Sequence, residues 1–451
     1  MATYITGGFS LARMVWQPLA IWLFIRLFHF VDRRPLVMRC LNACLRVKPV
    51  WVFGRTVLVT GDRQVRDVLS RDDDFPLPED RAAKFLTGAF VLGMTRTPQF
   101  EMERAELRRV VMREDRDRIR ELSLLHSKCA VAEAASRGQL DVVEISTAVG
   151  KALIREYFGV NEYPSGRTFE ESPGKKADLA DDLRLLGAMI ASPDSARDKF
   201  RQRAEKAAVR AFLHLDNELS AAERELAGQR YLPEPATVLK RLVFRRLTGQ
   251  NELDPDAVRR NIIGVLLPGA ALVTRAFATS LVQLLKRRYL LRAAVAANGN
   301  LDLLQGYLIE ALRFHPVFPI LPRHCPHDTI LPGFRCTYRI RAGKDVYVSV
   351  AGAMFDPHGP LFNGPAGGNP SEPRVRNPHD YRHFGGGIHE CLGQHIALPQ
   401  MAAMLASLLK LPQLTCGSIA YSDDGISPRR LRVRFTPIPD RALNPDEAVL
   451  T

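Results

Sequence analysis

Between Phe384 and Gly393 the chain reads Phe-Gly-Gly-Gly-Ile-His-Glu-Cys-Leu-Gly, and no other ten residues restrict its possible folds so strongly. Cys391 follows an aromatic by seven positions, in a loop loosened by Gly385, Gly386 and Gly387, and a helix-like run begins just after it. The glycines let the backbone turn tightly and approach a flat cofactor that a larger side chain would hold off. Amides at the start of the following helix point toward the sulfur and stabilise its negative charge. The competing explanation, a buried cysteine in a glycine-rich turn, covers most lone cysteines, but it does not require this order of residues.

With 451 residues, 46% hydrophobic and 25% charged, the chain has an ordinary globular composition and ample core. Lysine and arginine total 63 against 49 acids, a formal charge of +14. That balance suits nucleic acid, an anionic membrane surface or an acidic protein partner. No basic cluster interleaves with aromatics on a strand, so nucleic acid is set aside. The seven cysteines are odd in number and irregularly spaced, which argues against a disulfide framework and for a reducing, cytoplasmic location. His379 and His383 stand four apart, but Pro378 and the nearby glycines suggest a loop and weaken a zinc reading.

Residues 14–30 are mostly apolar, yet Pro18, Arg26 and His29 interrupt them, so the run falls short of the ~20 apolar residues a spanning helix needs. Trp16, Trp22, Phe24 and Phe28, with Arg13, Arg26, Arg33 and Arg34 around them, resemble an interfacial helix, a candidate for peripheral membrane contact. An amphipathic helix packed on its own domain explains them equally well. Residues 1–35 are therefore set apart from a single domain over 36–451. Within that domain, Val50 to Asp62 reads as a hairpin of β-branched runs turning at Gly54-Arg55, after which Asp62 caps a helix through Leu69. Apolar spacing predicts helices over 101–135, 142–158, 176–192, 196–228, 256–287 and 300–314. Long helices dominate, strands are short, and 364–378 is rich in proline and glycine.

The loop at Phe384, Gly385, Gly387, His389, Cys391 and Gly393 resembles the haem-binding signature of the cytochrome P450 family. Glu310 and Arg313, three apart and followed by His315-Pro316, resemble that family's second signature, and on a helix the two would share a face. The resemblance implies a mainly α fold with small β-sheets, and one haem b (iron protoporphyrin IX) held by the Cys391 thiolate. It assigns Glu310 and Arg313 a structural role locking the loop before the cysteine. It also implies propionate contacts from Arg323, from His389 and from the helix around Glu103 to Val111, where Arg104 and Arg108 occupy the matching places. Guanidinium groups suit that task because they meet a carboxylate through two parallel hydrogen bonds.

One stretch departs from the family pattern. Cytochrome P450s usually place a small residue, a glycine, an acid and one or two threonines on the long helix over the iron. Here Gly269 and Ala270 supply the small residues, but Ala271, Leu272 and Val273 follow and no acid appears in either possible alignment. Thr274 is the remaining candidate for the catalytic hydroxyl. Pro268 removes a hydrogen bond inside the helix and is expected to open a kink, and Pro399 after the cysteine is a second oddity. The resemblance thus implies a monooxygenase acting on a lipophilic small molecule, with electrons from a separate ferredoxin or flavoprotein. The missing acid leaves open a peroxide-using or hydroperoxide-rearranging enzyme, and a non-catalytic haem- or partner-binding protein is the alternative of another class. The apolar residues Phe85, Phe90, Val91 and Leu92 suit a substrate pocket or plain core packing alike.

Overall fold

The computed structural model describes residues 48–438 except 79–90, 92, 167–168, 173–174, 192–200, 334–335, 357, 362–376 and 423–426. The N-terminal apolar segment, Phe85, Phe90, Leu92 and most of the proline- and glycine-rich stretch lie outside these residues. Val91 is described and is buried in the core.

The chain enters through the expected hairpin, β1 (Val50–Phe53) and β2 (Thr56–Val59), with Phe53 opposite Thr56. Helices α1 (Asp62–Ser70), α2 (Pro98–Val110) and α3 (Arg116–Ala135) follow, then strand β3 (Gln139–Asp141). The predicted helix over 101–135 is thus two helices, parted by a 3-10 turn at Arg113–Asp115. Next come α4 (Val142–Leu153), continued by a π-turn to Phe158, and a hairpin of β4 (Glu170–Ser172) and β5 (Lys175–Lys176). The helical middle comprises α5 (Leu179–Ala191), α6 (Arg201–Leu226), α7 (Val238–Leu247), α8 (Pro255–Lys286), α9 (Arg288–Ala296) and α10 (Leu301–Arg313). Strands β6 (Leu321–Cys325), β7 (Thr329–Pro332), β8 (Thr337–Ile340) and β9 (Lys344–Val348) lead to the short helix α11 (Val350–Ala353). Beyond the cysteine loop lie α12 (Gln394–Leu408) and strands β10 (Thr415–Cys416), β11 (Ala420–Tyr421), β12 (Pro428–Arg430) and β13 (Arg432–Arg434). One sheet has the order β1-β2-β9-β6, and a second joins β10, β13 and β3.

Helix α8 is the axis of the core. Asp254 caps it by accepting from the Ala257 amide at 2.6 Å, with Pro255 at the first turn where no amide is needed. Its 32 residues are long and apolar enough to cross a membrane, but they are mostly buried within the protein, as a core helix is. The helix runs on through Pro268 without interruption. Helix α5 crosses it at Gly187, where a Cβ would stand 3.0 Å from Ala271 Cβ and 3.1 Å from the Leu267 carbonyl oxygen. Helix α12 packs along α3, and Ser127 Oγ lies 2.8 Å from Ser407 Oγ between them.

Glu310 and Arg313 lie at the end of α10, and both are completely buried. Arg313 donates from Nε at 3.0 Å and Nη2 at 2.7 Å to the two Glu310 oxygens, and Tyr381 Oη donates to Glu310 at 2.7 Å. The guanidinium also stacks against Phe314 and Phe355. His383 Nε2 sits 2.9 Å from the Ile309 carbonyl oxygen, so this residue anchors the loop, and no cluster of metal-ligating side chains occurs among the described residues. Helix α1 grips the same loop at both ends. Asp62 accepts from Arg382 Nε at 3.1 Å, and at the other end Gly387, with φ +67°, fits directly under Leu69. A Cβ on Gly387 would come within 2.0 Å of the Leu69 carbonyl oxygen, so only glycine meets both the space and the left-handed backbone.

Two outcomes follow from this anchor. Glu310→Gln removes the carboxylate charge held against the buried Arg313 guanidinium, and urea unfolding should show a loss of roughly 3–5 kcal/mol. Burial is the main cause that pushes His383 down to about 4 from its ordinary 6.5; the Ile309 carbonyl and Glu310 oppose the shift and Arg313 adds to it. The unfolded state therefore takes up the proton first, and this group's contribution to stability is lost as pH falls from about 6.5 to about 4. His383→Gln should flatten that part of the acid-unfolding curve.

Candidate functional site

Cys391 sits half-buried at the end of the glycine loop, its amide donating to the Phe384 carbonyl oxygen at 3.0 Å. That bond closes the loop from Phe384 to Cys391 and fixes the aromatic seven residues before the sulfur. Gly385, with φ +74°, makes the first turn after Phe384. Burial pushes the Cys391 thiol up. The Gly393 amide, the Arg104 charge and the Gln394 amide oppose it, while Glu390 reinforces it. The amides at the start of α12 thus point at the sulfur as the sequence suggests, and the remaining cost of a buried thiolate calls for a positive ligand.

Arg104 reaches the cysteine loop from α2. Helix α2 begins at the Thr97 cap, which accepts the Phe100 amide at 3.1 Å, and one turn later Arg104 lies buried over the Phe100 ring. Its Nη2 donates to the Glu390 carbonyl oxygen at 2.7 Å, next to Cys391. Its Nε and Nη1 are buried and have no hydrogen-bond partner among the described residues. Burial and the neighbouring Arg108 push the Arg104 pKa down, against Glu390 and Cys391. Arg108 itself is exposed.

Arg323 is buried on β6, with Nη1 donating to the Pro322 carbonyl oxygen at 2.8 Å. Burial brings its pKa down to about 10, with the Asp72 charge opposing. His389 is nearly buried, its ring 5.4 Å from that of Phe100 and its Nε2 2.8 Å from Asp72 Oδ1. Sequence reasoning missed Asp72. It is one of three consecutive aspartates lying 317 positions from His389, and nothing in the run shows which acid turns inward.

Helix α8 has one face that is less covered than the rest. Val265, Pro268, Gly269, Leu272 and Arg275 are half-buried, and Val273 and Ala276 are 8% and 9% exposed, in the middle of a helix whose other central positions from Asn261 to Leu284 are buried. At 3.6 residues per turn these positions fall on one stripe, and a Cβ on Gly269 would meet nothing within 4 Å. Ala270 borders the stripe. Thr274, expected to supply the catalytic hydroxyl, lies about half a turn round from Val265. Its Oγ1 is 2.9 Å from Ser146 Oγ on α4 and 3.5 Å from the Ala270 carbonyl oxygen. The stripe itself carries neither an acid nor a hydroxyl.

These features suit a haem. A flat ring needs the clearance at Gly269, its iron needs the thiolate, and its carboxylates would satisfy the buried Arg104 donors left without a partner.

Comparison with known proteins agrees. The sequence model of the family described as Cytochrome P450 matches residues 287–416. The steroid C26-monooxygenase of Mycolicibacterium smegmatis is 30% identical over 175 residues, 38% of this chain and 40% of that protein. The first curated relatives are matched over 23%, 40% and 60% of their own lengths. The crystal structure of CalO2 shares the fold with a TM-score of 0.69 at 20% identity, covering 90% of this chain and 97% of that one. P450BioI, in complex with acyl carrier protein ligated to hexadec-9Z-enoic acid, gives 0.68 at 18% identity, over 91% and 100%. With the cysteine loop, the buried Glu310–Arg313 pair and the helical fold in agreement, residues 287–416 match the cytochrome P450 family in sequence and the chain shares the fold of its solved structures; that family's cofactor is protohaem IX (haem b).

Proposed function

We propose that this protein is a haem-thiolate oxidoreductase that oxidises a lipophilic small molecule, as a monooxygenase with electrons from a separate ferredoxin or flavoprotein. The observation that carries this reading is the half-buried Cys391 with two amides on its sulfur, beside buried cationic donors that lack an anion. Cys391 would ligate the iron. Arg104, Arg323 and His389, with Arg108 at the exposed edge, would hold the carboxylates, while Gly269 and Ala270 leave room for the ring. When bound, the haem supplies the redox chemistry, and electron donation from the thiolate favours O–O cleavage.

The stripe on α8 sets the character of the substrate. Val265, Leu272, Val273 and Ala276 offer only apolar surface, which binds hydrocarbon by excluding water at about 25 cal/mol per Å². The fatty acyl group carried to P450BioI has this chemistry, and a lipophilic molecule suits the stripe here.

The same stripe favours a second reading of the oxidant. It offers no side chain to carry a proton, and Thr274 is engaged with Ser146. A hydrogen peroxide or organic hydroperoxide donor brings its O–O bond ready-made and asks less of the helix. Proton movement during a reductant-driven reaction would instead depend on water or the substrate.

Turnover of a lipophilic substrate should require dioxygen, reductant and a redox partner. Equal turnover with hydrogen peroxide or a fatty-acid hydroperoxide, without reductant, replaces the first reading with the second. Cys391→Ala should abolish the thiolate absorption band of the reduced, carbon-monoxide-bound protein, and an unchanged band would end the haem-thiolate assignment. Thr274→Val should cost about 1 kcal/mol of stability by removing the bond to Ser146, with less than a threefold change in turnover. A fall of more than tenfold would return Thr274 to the proton path.

A further inference from the structure

We infer that Asp72 is the positioning residue for the carboxylate-binding end of the cofactor site, acting through His389; this rests on the haem reading above. Asp72 lies two residues beyond the end of α1 and is 7% exposed. Its Oδ1 accepts from His389 Nε2 at 2.8 Å, and its Oδ2 accepts the Arg96 amide at 3.2 Å. One carboxylate therefore joins three separate segments: the end of α1, the cysteine loop, and the approach to the Thr97 cap of α2, which carries Arg104. Its neighbour Asp74 faces elsewhere, to Arg71 and His327.

The bond to Asp72 decides which edge of the imidazole remains available. A carboxylate only accepts, so Nε2 is the donor; Nδ1 is the nitrogen left for another group, and it donates to a second carboxylate only when it carries a proton of its own. Phe100 packs against the ring, so the orientation is fixed by packing on the ring and by a hydrogen bond at one edge. The fit of Gly387 under Leu69 holds the loop against α1, which keeps Asp72 within reach of His389. Asp72 also supplies negative charge toward the buried Arg323. His389 and Arg323 are the two donors outside α2 that the resemblance directs at the haem carboxylates, and Asp72 is bonded to the first of them.

Its acidity makes the direction of the effect informative. If Asp72 acted only as a nearby negative charge, its removal would relieve repulsion and tighten the hold on an anionic cofactor. As a positioning residue, its removal must weaken that hold. Loss of such supporting partners typically costs 10–100-fold in affinity at metal sites.

The test is transfer of haem from the full-length holoprotein to excess apomyoglobin. It uses wild type, Asp72→Ala, His389→Ala and the double variant, each loaded with protohaem or with its dimethyl ester. Asp72→Ala should release protohaem about 10–100-fold faster than wild type, the double variant no faster than His389→Ala, and the ester should leave wild type and Asp72→Ala at similar rates. Unchanged or slower protohaem release overturns the proposal, as does additive loss in the double variant or equal acceleration for both haems. Asp72→Asn keeps an acceptor and much of the shape; if the alanine variant does not fold, the same protohaem-against-ester comparison on Asp72→Asn decides. Wild type that holds no haem with a thiolate spectrum would overturn the haem reading itself, whereas a wild type that holds haem while the variants match it overturns only the role of Asp72.

Discussion

The architecture around the cysteine depends on one buried charge pair. Glu310 and Arg313 sit in the protein interior with no exposure, where an unpaired ion would be prohibitive. The fold meets this demand by surrounding the pair: two hydrogen bonds between them, Tyr381 Oη on the carboxylate, and the Phe314 and Phe355 rings against the guanidinium. Tyr381 belongs to the segment that becomes the cysteine loop, so satisfying the carboxylate also fixes where that loop starts. His383, two residues on, repeats the attachment at the Ile309 carbonyl oxygen of the same helix. The loop then reaches its cysteine with little freedom, because Arg382 is held by Asp62 and Gly387 fits under Leu69.

A loop so firmly held can surround itself with groups that are poorly satisfied without a ligand. The thiol of Cys391 is pushed up by burial, Arg104 keeps two buried donors without partners, and the Arg323 guanidinium is strongly desolvated. Each costs stability in isolation. Together they have the chemistry that suits one ligand, a metal bound in a ring that carries carboxylates. The stability lost here is offset by apolar packing such as that along the buried α8.

Local chemistry made part of this legible in the sequence. The hairpin at Gly54-Arg55, the helix over 142–158 and the axis of α8 follow from periodicity and turn residues, and the cysteine loop from its glycines. Proximity across the chain was not legible. Asp72 and His389 meet because α1 lies across the loop, and no local pattern encodes that crossing. The predicted helix over 101–135 broke at Arg113–Asp115 for a similar reason: Asp115 is drawn to Arg241 on α7 and to Tyr157, and this tertiary pull outweighs the helical periodicity on either side. Thr274 is an intermediate case. Its half-turn offset from Val265 could be counted from the sequence, but which face of α8 lay open could not be known until Ser146 and Gly187 had been placed on the others.

That open face limits the chemistry more than the cysteine loop does. A thiolate ligand is compatible with every oxidant the family's chemistry admits, so Cys391 does not choose among them. The choice lies with whatever can move protons near the ring, and the resemblance puts Ala271, Leu272 and Val273 around those positions on α8. All three are aliphatic, and Val273 differs from threonine by a methyl in place of a hydroxyl, so size alone does not account for it. An aliphatic run keeps water out and favours hydrocarbon, at the expense of side-chain proton transfer. In the proposed reading, lipophilic binding and an unassisted oxygen-activation path would be two consequences of the same residues, so that a measurement of the oxidant bears on the substrate as well.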